Sequence, residues 1–270
     1  MEDIETRFER DGFVFPIDVL SAEEAAELRA DLESAEAELA NDEEKFALLR
    51  AYPDRLLPSF DKMIRHPVMV EAASRILGPD LMVWSGALFI KEANSPSIVT
   101  WHQDLTYWGL DDAEEVTCWL ALSDASEASG AMKFVAGSHK QQIVEHVDTF
   151  ADDNLLSRGQ EIAVDVDDKD AVVVELKPGQ ISLHHGHLFH ASGPNSTPDR
   201  RIGCAIRYIK ASMKQRDNTK TLVAHVSGED RWQNFRVAGA PRGRLNELDF
   251  QMCREDVAAK QPILYEGVDS

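Results

Sequence analysis

The sequence predicts a mainly β fold with flanking α-helices, on three observations. Short runs rich in apolar, aromatic and β-branched residues recur through the middle of the chain, turn residues separate them, and no strand alternates with a helix as in a βαβ unit. Many short strands at such spacing read as an antiparallel sandwich or barrel. The chain has 270 residues and is 43% hydrophobic, enough for a sizeable core. With no Ser/Gly-rich or Pro-rich linker, the expectation is a single domain over 1–270.

The first candidate strand is 12–17, ended by Pro16, because proline brings no ladder donor. Ser21 with Glu24 three residues later forms a capping box. It opens a helix to about Ala40 whose apolar stripe is Leu28, Leu32, Ala35 and Leu39, the other face being acidic. A second helix is expected from near Pro67 to Gly78-Pro79, a C-cap glycine followed by a stop. These N-terminal helices, 21–78, read as scaffold. The β core comes next, about 81–210, with strands at 81–93, 115–122, 131–136, 171–176, 180–185 and 201–209. Turns at Asn94-Ser95-Pro96, Ser129-Gly130, Lys177-Pro178-Gly179 and Ser192-Gly193-Pro194 punctuate them. The acidic, irregular stretch 141–170, with Asp152-Asp153-Asn154, reads as a lid or a mobile loop. The extension 211–270 is polar and mixed, without a readable period.

The formal charge is -20. This excludes nucleic acid as a partner, since phosphate binding needs a basic footprint, and leaves a small-molecule substrate. No apolar run reaches the ~18 residues of a membrane span. The first residues, Met-Glu-Asp-Ile-Glu, are the opposite of a signal-peptide n-region. Three cysteines without a C-x-x-C pair fit a reduced compartment, so a cytoplasmic protein is expected.

Within Trp-His-Gln-Asp-Leu-Thr-Tyr-Trp (101–108), His102 stands two positions before Asp104. On extended backbone, side chains at i and i+2 leave one face, and an imidazole beside a carboxylate is two-thirds of a facial triad. Alone, the pair reads equally as a surface turn. Four more histidines stand at 184, 185, 187 and 190. A strand from Ile181 puts His185 and His187 on one face and His184 on the other, and each taken singly also reads as a hydrogen-bonded core residue. His190 stands out because, eleven positions on, Arg201 opens a strand in which Arg201, Gly203 and Ala205 share a face. Small neighbours leave room for a long guanidinium, and a buried Arg needs an anion, best a bidentate carboxylate. A dicarboxylate that chelates a metal at one end and pairs with Arg at the other suits this arrangement, and 2-oxoglutarate is such a molecule.

Three motifs together, His-Gln-Asp-Leu, Ser-Gly-Ala-Met-Lys-Phe-Val-Ala-Gly-Ser-His at 129–139, and His-Ala-Ser-Gly-Pro-Asn followed by Arg201, resemble the phytanoyl-CoA dioxygenase family over about 81–210. The resemblance implies a double-stranded β-helix, or jelly roll, and an Fe(II)-dependent oxygenase with 2-oxoglutarate and O2 as cosubstrates. It implies His102, Asp104 and His190 as iron ligands, and Arg201 with Ser192 at the distal carboxylate. Lys91 and Trp119 would line the cavity, Tyr107 and Trp108 would form walls unless Trp108 is core, and His139 would be structural. Related halogenases replace the acidic ligand with a small residue; Asp104 keeps it, so the implied reaction is hydroxylation of a small organic molecule with release of succinate and CO2. A non-catalytic ligand-binding barrel and a metal-dependent cupin-like hydrolase are the rival readings. Neither has a use for Arg201 beside the metal residues.

Overall fold

In the computed structural model, which describes residues 3–149, 154–156 and 158–265, Ser21 and Glu24 close the expected capping box. The Ser21 N–H donates to the Glu24 carboxylate at 2.8 Å and the Glu24 N–H to Ser21 Oγ at 3.1 Å. The elements run α1 (Ile4–Asp11), β1 (Phe13–Asp18), α2 (Ala22–Glu38), α3 (Glu43–Ala51), α4 (Pro53–Leu56), α5 (Pro58–Ile64), α6 (Pro67–Leu77), β2 (Leu81–Lys91), β3 (Val99–His102), β4 (Glu115–Ala121), β5 (Met132–Val135), β6 (His146–Asp148), β7 (Gln160–Ile162), β8 (Ala171–Val174), β9 (Gln180–His185), β10 (His190–Ser192), β11 (Arg201–Lys210), β12 (Leu222–Ser227), β13 (Arg236–Ala238) and α7 (Glu247–Leu264). They fall into two compact units, one of residues 1–26, 89–106 and 117–204, the other of 27–88, 107–116 and 205–270.

The first unit holds two facing sheets of a jelly roll: β1, β9, β4 and the first residues of β11 in that order, and β3, β10, β5 and β8. Residues of the two inner faces interlock, as in any sandwich: the His184 ring on β9 lies 4.7 Å from His190 on β10 and 5.1 Å from Phe134 on β5. Strand β1 runs through Pro16 to Asp18, beyond its expected end. It is an edge strand with an irregular register between Val14 and Ile17, and edges and bulges are where a ladder tolerates proline. The stretch read as irregular, 141–170, contains the β6–β7 ribbon, in which His146 pairs Ile162 and Asp148 pairs Gln160. Asp152 and Asp153 lie outside the described residues.

The second unit carries the rest of β11, most of β2, and β12 and β13, in that order. Its helices include the expected stripe, with Leu28, Leu32, Ala35 and Leu39 all buried. Helix α6 stops at Gly78 as the sequence predicts. Helix α7 is a finding the sequence did not announce. Its buried positions include Asp249, Asp256 and Lys260 as well as Phe250 and Cys253, so no apolar stripe marks it. Lys260 pairs with Asp256 at 2.8 Å and lies 4.5 Å over the Trp84 ring. Trp84 stacks on Trp108 at 4.9 Å, with the Arg207 guanidinium 5.1 Å from the Trp108 ring. Trp108 is therefore a core residue of this unit. Among the described residues no helix is long and apolar enough to cross a membrane.

Candidate active site

Strand β3 ends at His102, and the chain turns at Gln103 into a 3-10 helix, Asp104–Thr106. His102 and Asp104 thus do not share a strand face as the i, i+2 argument expects; they meet across a turn. Two hydrogen bonds shape it, Thr106 Oγ1 donating to the Gln103 carbonyl at 2.9 Å and Leu105 N–H to the Gly186 carbonyl at 3.2 Å. The β10–β3 register places His190 directly opposite His102, and their rings stand 4.0 Å apart.

Both imidazoles are oriented by their own backbone. His102 Nδ1 lies 2.9 Å from the Thr100 carbonyl, and His190 Nδ1 lies 2.9 Å from the Leu188 carbonyl. A carbonyl only accepts, so Nδ1 carries the hydrogen and Nε2 keeps a lone pair. The two Nε2 atoms lie 3.4 and 3.8 Å from Asp104 Oδ1, and one ligand atom from each of the three residues falls within 4.8 Å of the others. Burial, then the neighbouring His102, holds the His190 pKa well below its ordinary value, so the ring is neutral and free to donate its lone pair. Two imidazoles and one carboxylate, each with a fixed outer partner, fit a divalent iron with three positions left open. His184, buried on β9, approaches Asp104 Oδ2 at 3.7 Å. His185 and His187 belong to a separate ring cluster with His139.

The second half of the site is a pair of buried cations. Arg201 is 1% exposed, and burial draws its pKa down to about 10. Its Nε and Nη2 atoms find no hydrogen-bond partner among the described residues. These two N–H groups form one edge of the guanidinium, the edge that grips a carboxylate in two places. Lys91, expected to line the cavity, is 0% exposed. Its ammonium donates to Ser192 Oγ at 2.6 Å, to the Ser192 carbonyl at 3.2 Å, and to the Gly193 carbonyl. Burial first, and Arg201 second, pushes its pKa down to about 6. Gly203 serves a purpose other than the one expected. A Cβ there would sit 1.8 Å from Trp119 Cζ2, so the missing side chain makes room for the indole, and the Arg201 guanidinium lies over that ring.

Sequence reasoning missed Gln103, His146 and Thr117. Gln103 is fully buried between His102 and Asp104. Its amide donates to the His187 carbonyl at 2.9 Å and accepts from Val144 N–H at 2.8 Å, while its backbone N–H donates to His146 Nε2 at 3.1 Å. It ties the metal motif to the start of the β6 segment and to the loop before His190. Thr117 donates to Asp104 Oδ2 at 3.1 Å. The available signal was its place two residues before Trp119 on β4, hence on the same face.

The sequence pattern of the phytanoyl-CoA dioxygenase (PhyH) family matches residues 8–203, which include every residue of this site. The chain belongs to the phytanoyl-CoA dioxygenase family. Among its relatives, a probable alpha-ketoglutarate-dependent hypophosphite dioxygenase of Stutzerimonas stutzeri is 28% identical over 209 residues, covering 71% of this chain and 72% of that protein. An ectoine dioxygenase of Bordetella parapertussis is 28% identical over 149 residues, half of this chain and 48% of the other. Of solved structures in the family's fold, the apo form of the non-heme monooxygenase ThoJ superposes with a TM-score of 0.88 at 32% identity, covering 98% of both chains.

Proposed function

We propose that His102 and His190, through Nε2, and Asp104, through Oδ1, hold the ferrous ion of this enzyme, and that Arg201 binds the distal carboxylate of its 2-oxoglutarate. The protein is an Fe(II)- and 2-oxoglutarate-dependent dioxygenase of the phytanoyl-CoA dioxygenase family. When bound, the iron with 2-oxoglutarate and O2 supplies the oxidising power for hydroxylating a C–H bond, with succinate and CO2 released.

The observation that carries the assignment of Arg201 is its unpartnered edge. A buried guanidinium with two unsatisfied N–H groups is costly, and a carboxylate accepting from Nε and Nη2 removes that cost while fixing the cosubstrate's far end. Trp119 covers the guanidinium with an apolar face, which keeps water off and strengthens the pair. Ser192 holds Lys91 beside this end, where an arriving carboxylate gives its amine a reason to take up a proton. The histidines present Nε2 atoms aimed by main-chain carbonyls bonded to Nδ1. A hydrolase using the same three ligands has no role for Arg201. The substrate we propose is a small organic molecule, in keeping with the small-molecule substrates named for relatives such as the ectoine dioxygenase.

An anaerobic titration with Fe(II) and then 2-oxoglutarate tests this reading without a known substrate. A visible charge-transfer band that saturates with 2-oxoglutarate is expected. Tight Fe(II) binding with no band on adding 2-oxoglutarate would leave the hydrolase reading in its place.

A further inference from the structure

Each proposed ligand has a partner behind it, but the three partners differ in kind. The imidazoles lean on backbone carbonyls two residues upstream in the chain. The carboxylate leans on a side chain from another strand: Thr117, on β4, donates its hydroxyl to Asp104 Oδ2 at 3.1 Å. The His184 ring closes the same side, its Nε2 3.7 Å from Oδ2. Oδ1 is left turned toward His102 and His190.

We propose that Thr117 is a positioning residue that keeps Asp104 a one-armed ligand; this rests on the metal reading above. The torsion about Cβ–Cγ of an aspartate is broad and nearly two-fold, so a carboxylate beside a divalent ion is free to swing and offer both oxygens. Carboxylates bind ions in either manner. The Thr117 hydroxyl opposes that swing by occupying Oδ2. It is well suited to do so, because a β-branched side chain is stiff at χ1 and Thr117 is 1% exposed, packed inside the sandwich. A ferrous ion held by His102, His190 and one oxygen of Asp104 would keep room for its cosubstrates, and a second oxygen from Asp104 would compete for that room. Thr117 therefore acts on cosubstrate binding through Asp104, without itself reaching the ion.

The test uses Co(II) in place of Fe(II) on the full chain, with wild type, Thr117→Val and Thr117→Ser. The intensity of Co(II) visible absorption tracks coordination number, and a second titration with 2-oxoglutarate reports how readily the chelate forms. Valine keeps the shape and removes the hydroxyl; serine keeps the hydroxyl. Loss of an outer partner of a metal ligand costs roughly 10- to 100-fold. We expect Thr117→Val to show an altered Co(II) spectrum and to need at least about 10-fold more 2-oxoglutarate, while Thr117→Ser stays close to wild type. Thermal melting separates this from a folding defect, and should the valine variant not fold, Thr117→Ala carries the same expectation. A valine variant with the wild-type Co(II) spectrum and the wild-type 2-oxoglutarate response overturns the role of Thr117 and leaves the metal site standing. No Co(II) spectrum in the wild type overturns the metal site, and this role with it.

Discussion

The Arg201 guanidinium lies 5.3 Å from the Trp119 ring, on an indole that occupies the space where residue 203 has no side chain. One strand therefore supplies both the cation and the gap that lets an aromatic wall stand beside it. If that cation takes the far carboxylate of 2-oxoglutarate, Arg201→Ala leaves the carboxylate buried and unpaired, at roughly 2–5 kcal/mol in binding, or about 30-fold or more in affinity. Arg201→Lys recovers part of this, since an ammonium lacks the two-pronged edge. The neighbouring Arg200 pairs instead with Glu92 near the surface, Nε to Oε2 at 2.8 Å, so Arg200→Ala is expected to cost under about 1 kcal/mol. Uncoupled succinate formation against 2-oxoglutarate concentration measures all three. Equal effects at 200 and 201 would mean no carboxylate sits at Arg201.

The ligand assignment makes a separate demand. His102→Ala, Asp104→Ala and His190→Ala should each lose Fe(II) or turnover with the fold intact, whereas His184→Ala and His187→Ala should retain iron. Metal analysis of the five purified proteins decides it, and iron lost from the His187 variant but kept by the His190 variant would mean the wrong histidine has been chosen.

Lys91 predicts a pH dependence. Its folded pKa is drawn from 10.5 to about 6, so between those values the unfolded chain holds more protons. The ligand-free protein therefore gains stability from this group as pH rises through that window. A carboxylate arriving at Arg201 restores a reason for Lys91 to be charged, so 2-oxoglutarate binding takes up a proton. Above about pH 7 the dissociation constant is expected to rise by up to about 10-fold per pH unit, and in Lys91→Met this slope should flatten. The charge-transfer titration repeated from pH 6.5 to 8.5 (about the span that spares the metal ligands from acid) reads it directly. Identical slopes in both proteins would show that Lys91 does not gain a proton with the ligand.

Gly203→Ala puts a methyl into the indole, 1.8 Å from Trp119 Cζ2 and 2.2 Å from Cε2. Overpacking of this kind costs about 1–3 kcal/mol, and here it also shifts the ring beside Arg201. Both a lower denaturation midpoint and weaker 2-oxoglutarate binding are expected. An unchanged midpoint would mean the indole has somewhere else to go.

Legibility in the sequence tracks physical scale. The capping box at Ser21, the stop at Gly78 and the β2, β4, β9 and β11 strands were readable because each is written in adjacent residues with a period or a breaker. Arg201 was readable because small residues alternate with it on one strand. Helix α7 was not, because its buried face is charged and pairs with groups hundreds of positions away, as Asp256 does with Tyr52 at 3.0 Å. The one-strand geometry expected for His102 and Asp104 was wrong in detail, since the strand ends at the histidine and a turn carries the aspartate inward. Gln103 stayed silent because an amide acquires meaning only from the groups that folding sets against it, and Thr117 was marked only by sharing a strand face with Trp119.

The main-chain carbonyls at Thr100 and Leu188 have a consequence for how this scaffold can diversify. A histidine aimed by the main chain two residues before it does not depend on which side chains surround it. Pocket residues can drift toward a new substrate without disturbing the aim of His102 and His190. The aspartate has no such insulation. Its aim is borrowed from a hydroxyl on another strand, so inheritable change in the chemistry of this centre should enter most readily at the carboxylate corner.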